Sequence, residues 1–186
     1  MQNITIGMDL GDKKHVVCVL DDTGTMIYQG TVENSQESLK SFFQKYENAT
    51  VAIEASTHSP WISRHLSMLG CAVLVGNPRK LRTIWDSDNK SDTRDAEMLA
   101  KIARFDPRLL YPITHRGEQA QIDLALLQSR DILVKSRTKL VNHVRSSAKS
   151  LGEKLPSGGP ETMHKKVPAI LPEILKASLS PVSVSY

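Results

Sequence analysis

Residues 4–32 read ITIGMDLGDKKHVVCVLDDTGTMIYQGTV, a segment in which two turns separate three strand-like runs. Over residues 4–8, apolar side chains alternate with smaller or polar ones, which is the period-two pattern of a β-strand. The runs 15–20 and 25–32 predict two further strands, and the Asp-Asp-Thr-Gly sequence between them is typical of a tight hairpin turn. The segment therefore predicts a three-stranded antiparallel meander.

Helical and strand patterns alternate after the meander. The short apolar run 50–53 lies between helical patterns, as is typical of a buried parallel strand. The other predicted elements are a helix over 36–46 capped by Asn34 or Ser35, a helix over 59–69, a strand over 71–75, a short basic helix over 79–85 and a helix from Asp92 to about Phe105. This order predicts an α/β fold of the ribonuclease H-like type, in which helices flank a mixed sheet with the first strand in its middle and the fourth beside it.

The chain changes character after the breaks at Pro107 and Pro112. From about Gly117 to Ser150 the pattern is helical and leucines recur at 126, 133 and 140, which predicts a coiled-coil-like segment, either one long helix or a bent pair. Residues 155–186 contain five prolines and a Gly-Gly pair, so we expect a poorly ordered Pro/Ser-rich tail. The predicted segments are thus 1–112, 113–154 and 155–186.

Positive charge is concentrated in two places, although the net charge of the chain is only +4. Lys and Arg neutralise phosphates without reading sequence, so both groups are candidates for contact with a DNA or RNA backbone. The alternative for the longer group is a solvated helix face. The residues concerned are Arg79, Lys80 and Arg82 in the first group, and Arg130, Lys135, Arg137, Lys139, Arg145 and Lys149 in the second.

Several classes of protein are disfavoured by the composition. No apolar run is long enough to cross a bilayer, and the first residues lack the charged start and apolar middle of a signal peptide. Cys18 and Cys71 each lie in an apolar run without CxxC spacing, so we expect them to be core residues rather than a disulfide or a zinc site. These features predict a cytoplasmic protein with no membrane partner.

Four carboxylates occupy positions from which they can converge. Asp9 ends the first predicted strand and Glu54 ends the neighbouring parallel strand, so we expect both at the carboxyl edge of the sheet, where α/β folds bind ligands. Asp92 and Asp95 are nearly one turn apart on one helix face, although their alternative role is to interact with the helix dipole as N-terminal acids. Four converging carboxylates repel one another unless a cation lies between them.

Hydrolysis of a phosphodiester explains why carboxylates would be gathered. Two divalent ions about 3.5–4 Å apart stabilise the attacking and leaving oxygens, and one of them can activate water. Magnesium prefers hard oxygen ligands, whereas His and Cys select other metals. We therefore predict that Asp9, Glu54, Asp92 and Asp95 are catalytic residues and ligands of two Mg²⁺ or Mn²⁺ ions. Weaker substitutes are Asp12, which we expect to fix its own turn, and Asp86 and Asp88, and we expect ordinary surface or packing roles for His15, His58 and His65.

Four short motifs resemble the DEDD transposases of bacterial insertion sequences and the related pilin-gene invertases. The resemblance runs in order from Ile4 to about Ile113, and its last motif is the most specific. The motifs are IGMDLG at 6–11, AIEAS at 52–56, GNPRK at 76–80 and KSDTRDA at 90–96.

The resemblance implies a RuvC-like DEDD catalytic domain over 1–112, whose acidic tetrad corresponds to Asp9, Glu54, Asp92 and Asp95. It implies metal-dependent DNA strand cleavage during transposition or site-specific recombination, acting on the DNA of the element and of its target. It also implies that the helical segment helps homodimers or higher oligomers form, and that a structured guide RNA takes part in some members.

The chain departs from this family in one respect. Members continue into a second catalytic domain that carries a serine nucleophile, and the end of this chain resembles nothing in that domain. We therefore expect either a fragment or a truncated copy, frameshifted near Leu155. One alternative is a non-catalytic nucleic-acid-binding remnant that associates with full-length transposase. Another is a sugar-kinase or heat-shock-type ATPase, whose first phosphate loop is similar to residues 6–11 but which needs a duplicated domain.

Overall fold

The structure is a computed structural model that describes residues 3–81 and 91–153. The chain divides into two compact units between Arg116 and Gly117. The predicted tail 155–186 lies outside the described residues, as does most of the predicted basic helix 79–85.

A five-stranded mixed sheet forms the centre of the first unit. Its order is β3-β2-β1-β4-β5, with β1 antiparallel to β2 and parallel to β4. The predicted meander, the central position of β1 and the α/β class are therefore confirmed. The strands are β1 (Thr5–Asp9), β2 (Lys14–Leu20), β3 (Met26–Glu33), β4 (Thr50–Glu54) and β5 (Ala72–Gly76).

The helices begin close to the predicted positions. The described helices are α1 (Gln36–Phe43), α2 (Ser59–Met68), α3 (Pro78–Leu81), α4 (Asp92–Phe105) and α5 (Glu118–Ser150), with a 3₁₀ turn at Pro107–Leu110. Helix α1 ends three residues before the predicted Tyr46, because the amides of Lys45 and Tyr46 bond to carbonyls only three residues back. Its cap is Ser35, whose Oγ accepts from the amide of Ser38 at 3.1 Å.

Apolar side chains cover both faces of the sheet. On one face, Val17 and Val19 of β2 belong to a buried cluster that includes Leu39 of α1 and Leu66 of α2. On the other face, Cys18 lies in a cluster with residues of α4. Cys18 and Cys71 are both buried and free, as their apolar surroundings predicted.

Helix α5 is continuous over 33 residues, which decides between one long helix and a bent pair. Leu126 and Leu133 are 66% and 69% exposed, whereas Val141 and Val144 nearer the C-terminal end are buried. The predicted leucine stripe is therefore largely open to solvent in the described chain. None of the described helices combines the length and the apolar composition that a membrane span requires.

Candidate carboxylate site

Two carboxylates end neighbouring parallel strands. Strands β1 and β4 pair in register up to Met8 opposite Ile53, so Asp9 and Glu54 are the next residues of each strand. Both side chains are partly buried. The sheet therefore places these two acids side by side at its carboxyl edge.

Helix α4 supplies the other two carboxylates from its first turn. Ser91 caps the helix, its Oγ accepting from the amide of Arg94 at 3.3 Å, and Asp92 and Asp95 follow. Asp92 is exposed and Asp95 is partly buried. Acids in the first turn also interact favourably with the helix dipole.

The helix reaches the edge of the sheet because β1 contains a glycine at the point of contact. A Cβ atom at Gly7 would overlap the carbonyl oxygen of Ala96 and the amide nitrogen of Ala100. The backbone of α4 therefore lies directly on β1, an approach that only glycine permits. Asp9 is two residues beyond Gly7 and Asp95 is adjacent to Ala96, so this contact sets the separation of the two acids.

The electrostatics of Asp9 show that the four carboxylates interact. Its pKa is raised to about 6, chiefly by burial and then by the negative charges of Asp92, Asp95 and Glu54. A hydrogen bond with the backbone of Leu10 opposes the shift only in part. The other three acids that the sequence singled out therefore lie within electrostatic reach of Asp9.

The donor atoms fit a hard divalent cation, since all four side chains offer carboxylate oxygens. Within residues 3–81 and 91–153, however, no three His, Cys, Asp or Glu side chains are grouped so that they could hold one ion. Magnesium does not require such a cage, because it keeps several waters and is often bound by one or two carboxylates together with substrate phosphates. The repulsion around Asp9 is the feature that a cation would relieve.

A hydrogen bond that the sequence did not predict joins the loops that follow β1 and β4. His58 Nε2 lies 2.9 Å from Asp12 Oδ1. The turn at Asp12 is instead held by Asn34, whose amide donates to the carbonyls of Gly11 and Asp12 at 3.3 and 3.0 Å. The expectation that Asp12 merely fixes its own turn is therefore wrong, because its side chain reaches across to the loop after Glu54. Local sequence gave no signal for a pair separated by 46 residues.

The loop after Glu54 is closed by a buried serine that sequence reasoning also missed. Ser59 Oγ donates to the carbonyl of Ser56 and accepts from its amide, both at 2.9 Å. His115 Nε2 lies 2.9 Å from the same oxygen, and burial, with a smaller contribution from Arg64, lowers the pKa of His115. Because the single hydroxyl hydrogen is directed to Ser56, His115 donates from Nε2. The neutral imidazole thus anchors residues near 115 to the N-terminus of α2.

The predicted basic residues fall in both units. Arg79 and Lys80 are exposed on α3, which begins two residues after Gly76, the residue opposite Glu54 in the sheet register. These two cations therefore lie at the edge that carries the carboxylates, with Lys80 Nζ 5.7 Å from the ring centroid of Tyr111. Arg82 lies outside the described residues. The remaining six, which lie on α5 in the second unit, are Arg130, Lys135, Arg137, Lys139, Arg145 and Lys149.

Comparison with known proteins points to one family. The family model DEDD_Tnp_IS110, described as transposase, matches residues 6–151, which include the four carboxylates and all of α5. The chain is 31% identical over 160 residues to the transposase for insertion sequence element IS1328 of Yersinia enterocolitica, covering 85% of this chain and 46% of the relative. It is 29% identical over 173 residues to the transposase for insertion sequence element IS1111A of Coxiella burnetii, covering 92% of this chain and 46% of the relative.

A third relative extends the range of organisms. The mini-circle putative transposase for IS117 of Streptomyces coelicolor is 28% identical over 152 residues, covering 75% of this chain and 36% of the relative. The chain spans less than half the length of these three curated relatives. The match covers most of the chain and includes every carboxylate of the site. The chain therefore belongs to the DEDD transposase family of insertion sequences.

Proposed function

We propose that this chain is the RuvC-like, metal-dependent phosphodiester-cleaving part of a DNA transposase. The observation that carries the proposal is the pKa of Asp9, which burial and three neighbouring carboxylates raise to about 6. A structural ion pair or a helix cap does not require three further acids within electrostatic reach of a partly buried aspartate. Perturbed acids at the carboxyl edge of an α/β sheet are typical of a functional site.

The RuvC-like assignment is supported by the sheet. An antiparallel meander, β1 to β3, continues into the parallel strands β4 and β5, and helices cover both faces. This arrangement places the ends of β1 and β4 together in the middle of the sheet. In the RuvC-like interpretation, that position holds the first two acids of the tetrad.

The four acids divide into two pairs in the proposed mechanism. Asp9 and Glu54 would hold divalent ions, Mg²⁺ or Mn²⁺, from the sheet, and Asp92 and Asp95 would hold them from α4. When bound, two ions supply stabilisation of the attacking and leaving oxygens of the phosphodiester. Asp9 must release its proton to serve as a ligand, so we expect activity to rise as the pH increases through about 6.

The cations at the same edge favour DNA as the substrate. Arg79 and Lys80 are exposed next to the end of β5 and can neutralise backbone phosphates beside the carboxylates. On α5, the six predicted cations suit contact with the DNA of the element or with a structured guide RNA. The exposed Leu126 and Leu133 suit packing against a second copy of the helix, which would give a homodimer or a higher oligomer.

Cleavage of a labelled Holliday junction or element end in the presence of Mg²⁺ tests the proposal. Asp9→Asn should reduce the rate by about a hundredfold or more, because one charged ligand is lost from the site. The matched control is Glu47→Gln, which neutralises an exposed carboxylate after α1. The assignment of Asp9 to the cleavage site is rejected if Asp9→Asn still cleaves the DNA. It is also rejected if Glu47→Gln loses cleavage to the same extent.

A second candidate function is binding of nucleic acid without cleavage. It is favoured by the absence, within the described residues, of three ligand side chains already grouped around one position. A chain of this kind would bind DNA with the same affinity as its Asp9→Asn variant, with or without Mg²⁺, and would leave the junction intact. Measuring binding and cleavage on the same labelled DNA separates the two functions.

A further inference from the structure

One exposed face of α4 carries cationic and apolar side chains in alternation. Arg94, Met98, Lys101 and Phe105 follow one another at intervals of four, three and four residues, which keeps them on one face of the helix. All four are exposed, and we call them the α4 stripe. The stripe does not include any of the buried residues through which α4 packs on the sheet.

Phe105 is the most conspicuous member of the α4 stripe. Its side chain is 86% exposed at the last residue of the helix, although a large aromatic ring gains free energy when it leaves water. An open cavity of about 500 Å³ lies next to the ring and is lined by Leu20, Gly24, Lys101, Arg104 and Phe105. The surface therefore presents an exposed aromatic ring beside a cavity.

Two cations, Lys101 and Arg104, line the cavity together with this ring and favour an anionic partner. Arg104 donates to the carbonyl of Asp22, which holds its guanidinium at the hairpin turn beside the cavity. Lys101 Nζ pairs with Glu97 at 2.5 Å, and both side chains remain in contact with solvent. Exposed ion pairs of this kind contribute about 0–1 kcal/mol to stability. A phosphate can therefore replace Glu97 as the partner of Lys101 with little loss of stability.

The position of the α4 stripe connects it to the carboxylate site. It begins within the first turn of α4, between Asp92 and Asp95, and extends over 11 residues to Phe105. At the rise of an α-helix this distance is roughly 16 Å. A strand that passes the carboxylates could therefore continue along α4 to the cavity.

We propose that the α4 stripe binds a single strand of DNA that leaves the carboxylate site, with one base stacked on Phe105 and phosphates contacted by Lys101 and Arg104. The inference rests on the proposed function, because it assumes that DNA reaches the carboxylates. Stacking on an aromatic ring combined with neighbouring cations is the usual way in which proteins bind single strands without reading sequence. A duplex keeps its bases stacked on each other and cannot offer one to Phe105.

The test compares affinities of the 186-residue chain for fluorescently labelled oligonucleotides by anisotropy. The probes are an oligothymidylate of about 12 nucleotides, an oligouridylate of equal length and a duplex of the same size. Phe105→Ala should weaken oligothymidylate binding by about tenfold, since stacking contributes about 1–3 kcal/mol per base. It should change duplex binding by less than about twofold, because a paired base does not contact the ring. Lys101→Ala should weaken binding of both DNA forms. For oligothymidylate, the slope of the logarithm of the binding constant against the logarithm of the salt concentration should become less steep by about 0.7, because one phosphate contact is lost.

Matched controls come from exposed residues elsewhere. Met68→Ala removes a side chain that is 77% exposed on α2, and Lys40→Ala removes an exposed cation of α1. Neither should alter binding to oligothymidylate. In Phe105→Trp, the added indole should be quenched by oligothymidylate beyond the quenching seen in the wild-type chain, and a signal that does not change contradicts stacking.

The other outcomes are distinguishable. Wild-type affinity for oligothymidylate in both Phe105→Ala and Lys101→Ala overturns the inference, and leaves the proposed function intact if Asp9→Asn still abolishes cleavage. A fall in oligomer mass in Phe105→Ala, with unchanged DNA binding, identifies the surface as a protein interface and also overturns it. Tighter binding of oligouridylate than of oligothymidylate overturns the choice of DNA. A wild-type chain that binds none of the probes overturns the inference, whereas the proposed function is decided separately by cleavage of the junction.

Discussion

The carboxylate edge of the sheet and helix α5 both concentrate charge, but the two regions hold it differently. At the edge, the packing of α4 on β1 places Asp92 and Asp95 within electrostatic reach of Asp9, whose pKa is raised chiefly by burial and then by the neighbouring carboxylates, Glu54 included. On α5, the six cations lie between Arg130 and Lys149, and most of them are exposed to solvent. Carboxylates that lower the stability of the fold by repelling one another indicate a function more specifically than exposed cations that water stabilises.

The largest effect is expected where α4 meets the sheet. Gly7→Val would place a side chain in the backbone of α4 at Ala96 and Ala100, so the helix must move away from β1. We expect the free energy of unfolding to fall by about 3 kcal/mol or more. Urea denaturation followed by circular dichroism measures this change.

A glycine in open space provides the control for that substitution. A Cβ atom at Gly117 would meet nothing within 4 Å, and the residue has an ordinary φ of −57°. Gly117→Ala should alter the free energy of unfolding by less than about 0.5 kcal/mol. Equal effects at Gly7 and Gly117 would show that α4 does not depend on the close contact with β1.

The next effect is a gain of stability at the carboxylate edge. Asp9 has a folded pKa of about 6 against an ordinary value of 3.8, so the folded chain binds more protons between these values and loses stability as the pH rises through them. Asp9→Asn removes this loss. At pH 7.5 without metal, we expect the variant to be more stable than the wild type by about 1 kcal/mol, after allowance for screening by water.

Thermal unfolding at several pH values measures that gain. The difference between Asp9→Asn and the wild type should grow from pH 4 to pH 7, and Glu47→Gln should show no such trend. A variant that is less stable than the wild type at pH 7.5 would mean that the ionised Asp9 is stabilised by contacts in the fold. The combination of higher stability and lost cleavage would be the signature of a functional acid.

Much of this edge could be predicted from sequence, because its signals are local. The alternation in β1, the apolar run of β4 and the Ser91 cap of α4 each depend on a few adjacent residues. The sequence also contained a signal for an unbroken α5, since residues 118–150 contain neither Gly nor Pro. It contained no signal for the pair between Asp12 and His58, because only the parallel pairing of β1 and β4 brings their loops together.

A third, smaller effect concerns metal. Mg²⁺ should raise the melting temperature at pH 7.5 and do so less at pH 5, because protons occupy Asp9 below about 6. At a concentration about tenfold above the dissociation constant, the stabilisation is about 1.4 kcal/mol, or a few degrees. Asp9→Asn should lose most of the shift, whereas Glu47→Gln should keep it. A shift of equal size at both pH values would place the binding of the ion elsewhere.

The smallest effect on stability is expected on α5. Substitutions there distinguish residues that the fold needs from residues that would join two copies of the chain. Leu133 is 69% exposed, so Leu133→Lys should change the free energy of unfolding of the dissociated chain by less than about 0.5 kcal/mol. Val144 is 2% exposed, and Val144→Lys should destabilise the chain because it buries a charge without a partner. If the leucine stripe joins two copies, light scattering will show a lower mass for Leu133→Lys at unchanged melting behaviour in dilute solution. An unchanged mass would exclude the stripe as the contact between copies, and the cations of α5 would then be the only feature of its exposed surface with a proposed partner.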